Sequence, residues 1–180
     1  MRIITGFLKG RKMLTPKNLK ARPTTDFAKT GLFNVLNNLV EFDGISVLDL
    51  FAGTGSISFE FVSRGAAFVT AVDIEAAHCK SIKENADLYS LNQLSVIRRD
   101  VFQYLQSANG KYDVIFADPP YDLEEAKQLP DIIMESGLLN EGGFFVLEHG
   151  NKTSFEGHPY LFDERKYGSV CFSFFAINEE

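Results

Sequence analysis

The chain has 180 residues, a formal net charge of −6 and 45% hydrophobic residues. That length and composition describe one globular domain with a substantial core and exclude a disordered or low-complexity chain. No run of 18 apolar residues is present and the first residues lack a continuous apolar stretch, so neither a membrane span nor a signal peptide is expected. The isolated cysteines, Cys79 and Cys171, read as reduced thiols of a cytoplasmic protein. His78, His149 and His158 show no metal-ligand spacing, so no metal site is expected.

The first 30 residues carry eight basic groups, namely Arg2, Lys9, Arg11, Lys12, Lys17, Lys20, Arg22 and Lys29, against one acid, Asp26. This segment is therefore +7 and the remainder −13. A basic arm on an acidic body points to phosphate contacts confined to one end. The candidate contacts are Lys9, Arg11, Lys12, Arg22 and Lys29. The alternation of Ile3-Ile4, Phe7-Leu8 and Met13-Leu14 predicts a β-hairpin within residues 1–22 rather than a loose tail. Thr24 or Thr25 then caps a helix that runs to about Val40, with Leu32, Val35, Leu36 and Leu39 on one face.

Next comes Ser46-Val47-Leu48-Asp49-Leu50-Phe51-Ala52-Gly53-Thr54-Gly55-Ser56. An apolar strand enters a glycine-containing turn and leaves it as a helix. Glycines at such a turn let the backbone approach a ligand closely, and the helix start presents unpaired N–H groups. A second apolar run, 68–73, closes on Asp73, which is placed to accept bonds from ribose hydroxyls. The pattern is not G-x-G-x-x-G, because Ser58 holds the third glycine position. No Gly-Lys-Ser/Thr follows, so a phosphate-binding loop is not expected. A carboxylate at Asp49 repels a pyrophosphate but suits a cationic or amino-acid-bearing ligand.

Strands are predicted at 45–51, 68–73, 94–98, 112–117 and 143–148, with helices at 55–64, 75–91, 101–107 and 123–136. Strict alternation implies a parallel sheet covered on both faces. Asp100 follows the third strand and suits a helix N-cap. The fourth strand ends in Asp118-Pro119-Pro120-Tyr121. The prolines fix φ and remove two N–H donors, so the local carbonyls are left as acceptors beside a carboxylate and an aromatic ring. Such a site suits a planar group with an exocyclic amine. Residues 160–162 and 169–177 flank a turn near Tyr167-Gly168 and predict a terminal hairpin that adds an antiparallel strand. Asp49, Gly53, Gly55, Asp73, Asp100 and Asp118 all fall at strand ends, so one rim of the sheet collects them. Glu148 and His149 end another strand there and receive no role.

In order and spacing, these motifs resemble class I S-adenosylmethionine-dependent methyltransferases. The Asp-Pro-Pro-Tyr form is similar to the branch that methylates exocyclic amines of bases. Arg2-Ile3-Ile4-Thr5-Gly6, Lys9-Gly10-Arg11-Lys12, Arg22-Pro23-Thr24-Thr25-Asp26 and Leu32-Phe33-Asn34 resemble the RsmD family over nearly the whole chain. The match departs where the family carries Arg-x-Arg-Glu; here Phe27, Ala28, Lys29 and Thr30 stand, and Lys29 keeps one basic position. The resemblance implies an α/β, Rossmann-like fold with a mostly parallel seven-stranded sheet, one antiparallel C-terminal strand and a small N-terminal hairpin. It implies S-adenosylmethionine as cofactor, held by Asp49, Phe51, Gly53, Gly55, Asp73, Asp100 and Val101. It implies methylation at N2 of a guanine of 16S ribosomal RNA, number 966 in the usual numbering, with Asp118, Pro119, Pro120 and Tyr121 catalytic and a small-subunit particle or assembly intermediate as partner. The alternatives are a DNA adenine-N6 methyltransferase and a non-catalytic, cofactor-binding ribosome assembly factor.

Overall fold

The computed structural model describes residues 1–16 and 25–177. Arg22, Lys17 and Lys20 lie outside the described residues. The elements run α1 (Asp26–Leu36), β1 (Ser46–Leu50), α2 (Ser56–Arg64), β2 (Phe68–Asp73), α3 (Ala76–Leu88), β3 (Leu94–Arg98) and α4 (Val101–Ser107). They continue with β4 (Tyr112–Ala117), a 3-10 turn (Glu124–Gln128), α5 (Leu129–Glu135), β5 (Leu139–Gly150), β6 (Leu161–Tyr167) and β7 (Val170–Ala176). The seven strands form one sheet in the order β3-β2-β1-β4-β5-β7-β6. All pairs are parallel except those of β7, which runs antiparallel to both β5 and β6.

Period-2 alternation splits each central strand between two cores. Val47, Val114, Phe116 and Val146 join the cluster that also takes Leu32, Phe33, Phe59 and Ile82 from α1, α2 and α3. Leu48, Leu50, Ile115 and Leu147 join the cluster under α4 and α5, with Val101, Leu105 and Ile133. The strand order reverses between β1 and β4, so the crevice at their carboxyl ends is the topological switch point.

Several boundaries differ from the sequence expectation: α3, expected over 75–91, ends at Leu88, and β5, expected over 143–148, runs from Leu139 to Gly150. Helix α1 ends at Leu36, and residues 37–39 turn back through N–H bonds to the last carbonyls. Its Thr25 cap is as expected, with the side-chain oxygen accepting from the Ala28 N–H at 3.2 Å. The span predicted as one helix over 123–136 is a 3-10 turn followed by α5, because Pro130 at the first helical turn lacks the N–H an earlier helix would need. Among the described residues the N-terminal pairing is reduced to one bridge, Arg2 with Lys12, flanked by Ile3 N–H donating to Arg11 O at 3.3 Å and Met13 N–H to Met1 O at 3.2 Å.

That N-terminal segment is not an appendage. Ile3, Leu8 and Met13 are buried in the α1–α3 core. Its backbone is fixed by side chains of α2 and α3. Leu8 N–H donates to Ser63 Oγ at 3.0 Å and Leu14 N–H to Asn85 Oδ1 at 2.7 Å. Ser81 Oγ and Asn85 Nδ2 both donate to Leu14 O at 2.9 Å. Removing the segment would uncover the core. Ile3→Ala is expected to cost about 2–5 kcal/mol, the range for deleting a fully buried aliphatic side chain. Urea denaturation showing a loss under about 1 kcal/mol would mean that the segment is only loosely docked.

Candidate active site

Asp49 leaves β1 on the α2 side of the sheet and is 1% exposed. Its Oδ2 accepts from Ser58 N–H at 3.0 Å and from Ser58 Oγ at 2.5 Å. Burial raises its pKa to about 7; the Ser58 bonds oppose the rise and the nearby Asp73 charge adds to it. Ser58, noticed in the sequence only because it breaks the glycine pattern, is thus the group that seats this carboxylate.

The turn that follows is strained. Phe51 holds φ of +58°, a left-handed conformation that a non-glycine residue adopts rarely and at a cost of about 1–3 kcal/mol. Its ring packs edge-on against Phe102 at 6.4 Å. Gly55, at φ +76°, starts α2, and a Cβ there would lie 2.9 Å from Ile82 Cγ1 and 3.0 Å from Phe59 Cε2. Glycine is required at 55 on both counts. Gly53 faces open space on its Cβ side, with only Phe51 O at 3.9 Å.

Asp73 ends β2 and joins three pieces of the rim. Its Oδ2 accepts from Gly53 N–H at 2.7 Å, and its Oδ1 accepts from Glu75 N–H at 2.8 Å and lies 3.2 Å from His78 Nδ1. Sequence reasoning gave His78 no part here; its spacing of five from Asp73, one turn into the next helix, was the available signal. Asp100 caps α4, as expected, accepting from Gln103 N–H at 3.0 Å. Val101 is buried beside it.

Asp118 follows β4, and its N–H donates to Leu50 O at 3.3 Å. This bond ties the Asp-Pro-Pro-Tyr segment to the end of β1 at the switch point. Pro119 is buried and Pro120 exposed. Pro120 O accepts from Leu123 N–H at 3.0 Å, closing the turn. Tyr121 is 58% exposed. One side of its ring rests on Gly150, where a Cβ would be 3.2 Å from Cδ2. Its hydroxyl donates to Glu148 Oε1 at 3.4 Å. Burial and the Glu148 and Asp118 carboxylates push the Tyr121 pKa above its usual value, so the phenol stays a donor. Pro119, Pro120, Tyr121, Glu148 and Gly150 line one pocket.

The basic candidates divide. Lys9, Arg11 and Lys12 are exposed, and Arg11 lies 5.9 Å from the Tyr89 ring centre. Arg22 is outside the described residues. Lys29 is a correction: it is 1% exposed, paired with Glu60 at 3.2 Å, and donates to Arg2 O at 2.8 Å and Ser56 Oγ at 3.1 Å. It cannot reach a phosphate, because its ammonium is spent on a buried acid. Among the described residues, no group of three His, Cys, Asp or Glu side chains could hold a metal ion. Nor is any described helix long and apolar enough to cross a membrane.

The sheet order, with one antiparallel strand and a rim of acids around a strand-to-helix glycine turn, defines the class I methyltransferase fold. The family model described as "Conserved hypothetical protein 95" matches residues 1–176. YlbH of Bacillus subtilis, described as a provisional rRNA methyltransferase, is 37% identical over 83% of this chain and 82% of its own. Ribosomal RNA small subunit methyltransferase D of Haemophilus influenzae is 32% identical over 82% of this chain and 78% of its own. A hypothetical protein of a Thermus species superposes with a TM-score of 0.85 at 27% identity, covering 98% of this chain and 99% of that one. The chain belongs to the Conserved hypothetical protein 95 family, the RsmD family that the motifs resemble.

The buried Asp49 predicts a pH dependence. Its folded pKa stands above the unfolded value of 3.8, so the folded state holds the proton more tightly. Its contribution to stability is present below pH 3.8 and is lost as pH rises toward about 7. Asp49→Asn keeps an acceptor for Ser58 and removes the titration. Urea midpoints from about pH 5 to 8 are expected to fall less steeply in the variant than in the wild type; parallel curves would refute a raised Asp49 pKa.

Proposed function

We propose that this protein transfers the methyl group of S-adenosylmethionine to the exocyclic N2 amine of a guanine in small-subunit ribosomal RNA. The observation that carries the reading is the junction at the switch point. The Asp118 N–H bond to Leu50 O joins the Asp-Pro-Pro-Tyr segment to the end of β1, next to the strained glycine turn, and supports that reading. Relatives over most of the chain are named for small-subunit ribosomal RNA methylation, and the resemblance singles out guanine 966 as target.

The residues present fit the cofactor. The turn offers open space above Gly53 and a rim of carboxylates suited to a cation. Asp73 is the acceptor for ribose hydroxyls, and Asp100 accepts the adenine amine with Val101 and Phe102 beside the ring. Asp49 and Phe51 set the turn for the amino-acid end. When bound, the cofactor supplies a methyl group on a positively charged sulfur.

The guanine N2 lone pair is delocalised and attacks poorly. Asp118 and the Pro119 carbonyl accept its two N–H bonds and hold the nitrogen in line. As the nitrogen becomes cationic, the Asp118 carboxylate stabilises charge that was absent in the ground state. It then takes the proton, directly or through solvent. Tyr121 stacks on the extruded base. The 180 residues act as one domain in the cytoplasm, and residues 1–22 are its RNA-binding extension. The partner is a small-subunit particle or assembly intermediate.

Asp118→Ala is expected to slow single-turnover methyl transfer by about a hundred- to a thousandfold, the loss of about 2.7–4 kcal/mol typical for a transition-state acceptor. Cofactor affinity by calorimetry should hold. Asp118→Asn should fall between. A rate within about threefold of wild type, less than about 1 kcal/mol, would remove Asp118 from the chemistry.

The arm is tested by charge and not by deletion, since Ile3, Leu8 and Met13 are core. Replacing Lys9, Arg11 and Lys12 by Ala should weaken RNA binding and flatten its salt dependence by roughly 0.7–0.9 in log–log slope per lost contact. Filter binding between low and moderate salt reads this. An unchanged slope removes these residues from the interface.

A further inference from the structure

The pocket beside Tyr121 contains an acid that the proposed reaction does not use. Glu148 sits near the end of β5 and is 3% exposed. It shares the pocket wall with Pro119, Pro120 and Tyr121. Ala117 and Leu147 are in register on neighbouring parallel strands. Asp118, just past β4, and Glu148 in β5 are the next positions along the two strands, and such strands lie about 4.8 Å apart. The Tyr121 hydroxyl donates to Glu148 Oε1. The ring on which the base stacks is therefore held by the same carboxylate that lines the pocket.

We propose that Glu148 selects guanine, accepting the N1–H of the base while Asp118 accepts from the N2 amine. The inference rests on the guanine-N2 reading above. Guanine presents N1–H and N2–H donors side by side on one edge. Adenine presents its N6 amine beside an unprotonated N1, which is an acceptor. An ionised carboxylate only accepts, and it has about four lone-pair sites, so the Tyr121 bond and a base N–H can coexist on it. Guanine satisfies both acids. Adenine sets an acceptor against a buried carboxylate, so that the bond between base and carboxylate is not made. Sites built to hydrogen-bond a donor reject analogues lacking it by about 10⁴–10⁵ at best. Sequence reasoning left Glu148 without a role because it stands 30 positions from Asp118; only the register makes them neighbours.

The test replaces the methylated guanine of small-subunit RNA by 2-aminopurine, which keeps the N2 amine but has an unprotonated N1. Single-turnover methylation is measured with saturating S-adenosylmethionine. Wild-type protein is expected to prefer guanine by about a hundredfold or more. Glu148→Gln offers an amide that can donate to an unprotonated N1. Its guanine rate should fall and its 2-aminopurine rate rise, moving the ratio by about a hundredfold toward 2-aminopurine. Equal slowing of both substrates, with cofactor affinity intact by calorimetry, overturns the proposal. Equal wild-type rates on the two RNAs overturn it without recourse to the variant. Wild-type protein that methylates an RNA amine other than guanine N2 overturns the reaction assignment, and this proposal with it.

Discussion

The arrangement around the rim depends on one buried ion pair, Lys29 with Glu60. Both are nearly inaccessible, at 1% and 0%. Taking two such charges out of water costs several kcal/mol per ion, which geometry and extra hydrogen bonds must offset. Here they do. Lys29 Nζ donates to Arg2 O and Ser56 Oγ in addition to facing Glu60, and Glu60 Oε1 accepts from Ile4 N–H at 2.5 Å. The second Glu60 oxygen lies 3.5 Å from Arg64 Nε, outside hydrogen-bond geometry, and the Arg64 guanidinium rests 4.3 Å from the Phe33 ring centre. Losing Glu60 would leave Lys29 buried and uncompensated, and losing Lys29 would leave Glu60 facing Arg64 alone. The pair specifies a single arrangement of α1, α2 and the first residues of the chain.

What that arrangement achieves is a connection. Ser56 is the first residue of α2, directly after the glycine turn, and Arg2 and Ile4 belong to the basic arm. Thr54 Oγ1 also donates to Met1 Sδ at 3.2 Å. The arm that carries Lys9, Arg11 and Lys12 is thus bonded to the glycine turn at the carboxyl end of β1. Charge placement and site geometry are one construction, not two modules joined by a linker.

Much of this was legible in the sequence, for reasons that differ by element. Strands 68–73, 94–98 and 112–117 were readable to the residue, because short β-branched and apolar runs bounded by polar turns have few other fates. The rim positions followed from topology, since strict alternation forces all parallel strands to end on one side. The hairpin of the arm was half legible. Its apolar alternation was read as a hairpin; among the described residues one bridge forms, and Ile3, Leu8 and Met13 pack on α2 and α3 while Phe7 and Leu14 stay exposed. Helix α1 was overextended because Leu39 continues the helical period while being 41% exposed.

Charge was the least legible property. A lysine at 29 looks like its exposed neighbours on the arm; only the fold shows that it faces Glu60, 31 positions away. The same limitation hid the part that the neutral Ser58 plays in seating Asp49. Sequence spacing gives side-chain direction within an element, but a charge's role is set by what lies across from it. Asp49 shows how far this goes. Its place before a glycine turn suggested a ligand-facing acid, yet its Oδ2 is engaged by Ser58 and burial pushes its pKa up to about 7. Its structural task, capping α2 from the preceding strand, fixes the turn whose strain falls on Phe51. The acids of this rim therefore differ in what holds them: Asp49 is seated by Ser58, Asp73 bonds the glycine turn and the start of α3, Asp100 caps α4, and Asp118 is tied through its N–H to the end of β1.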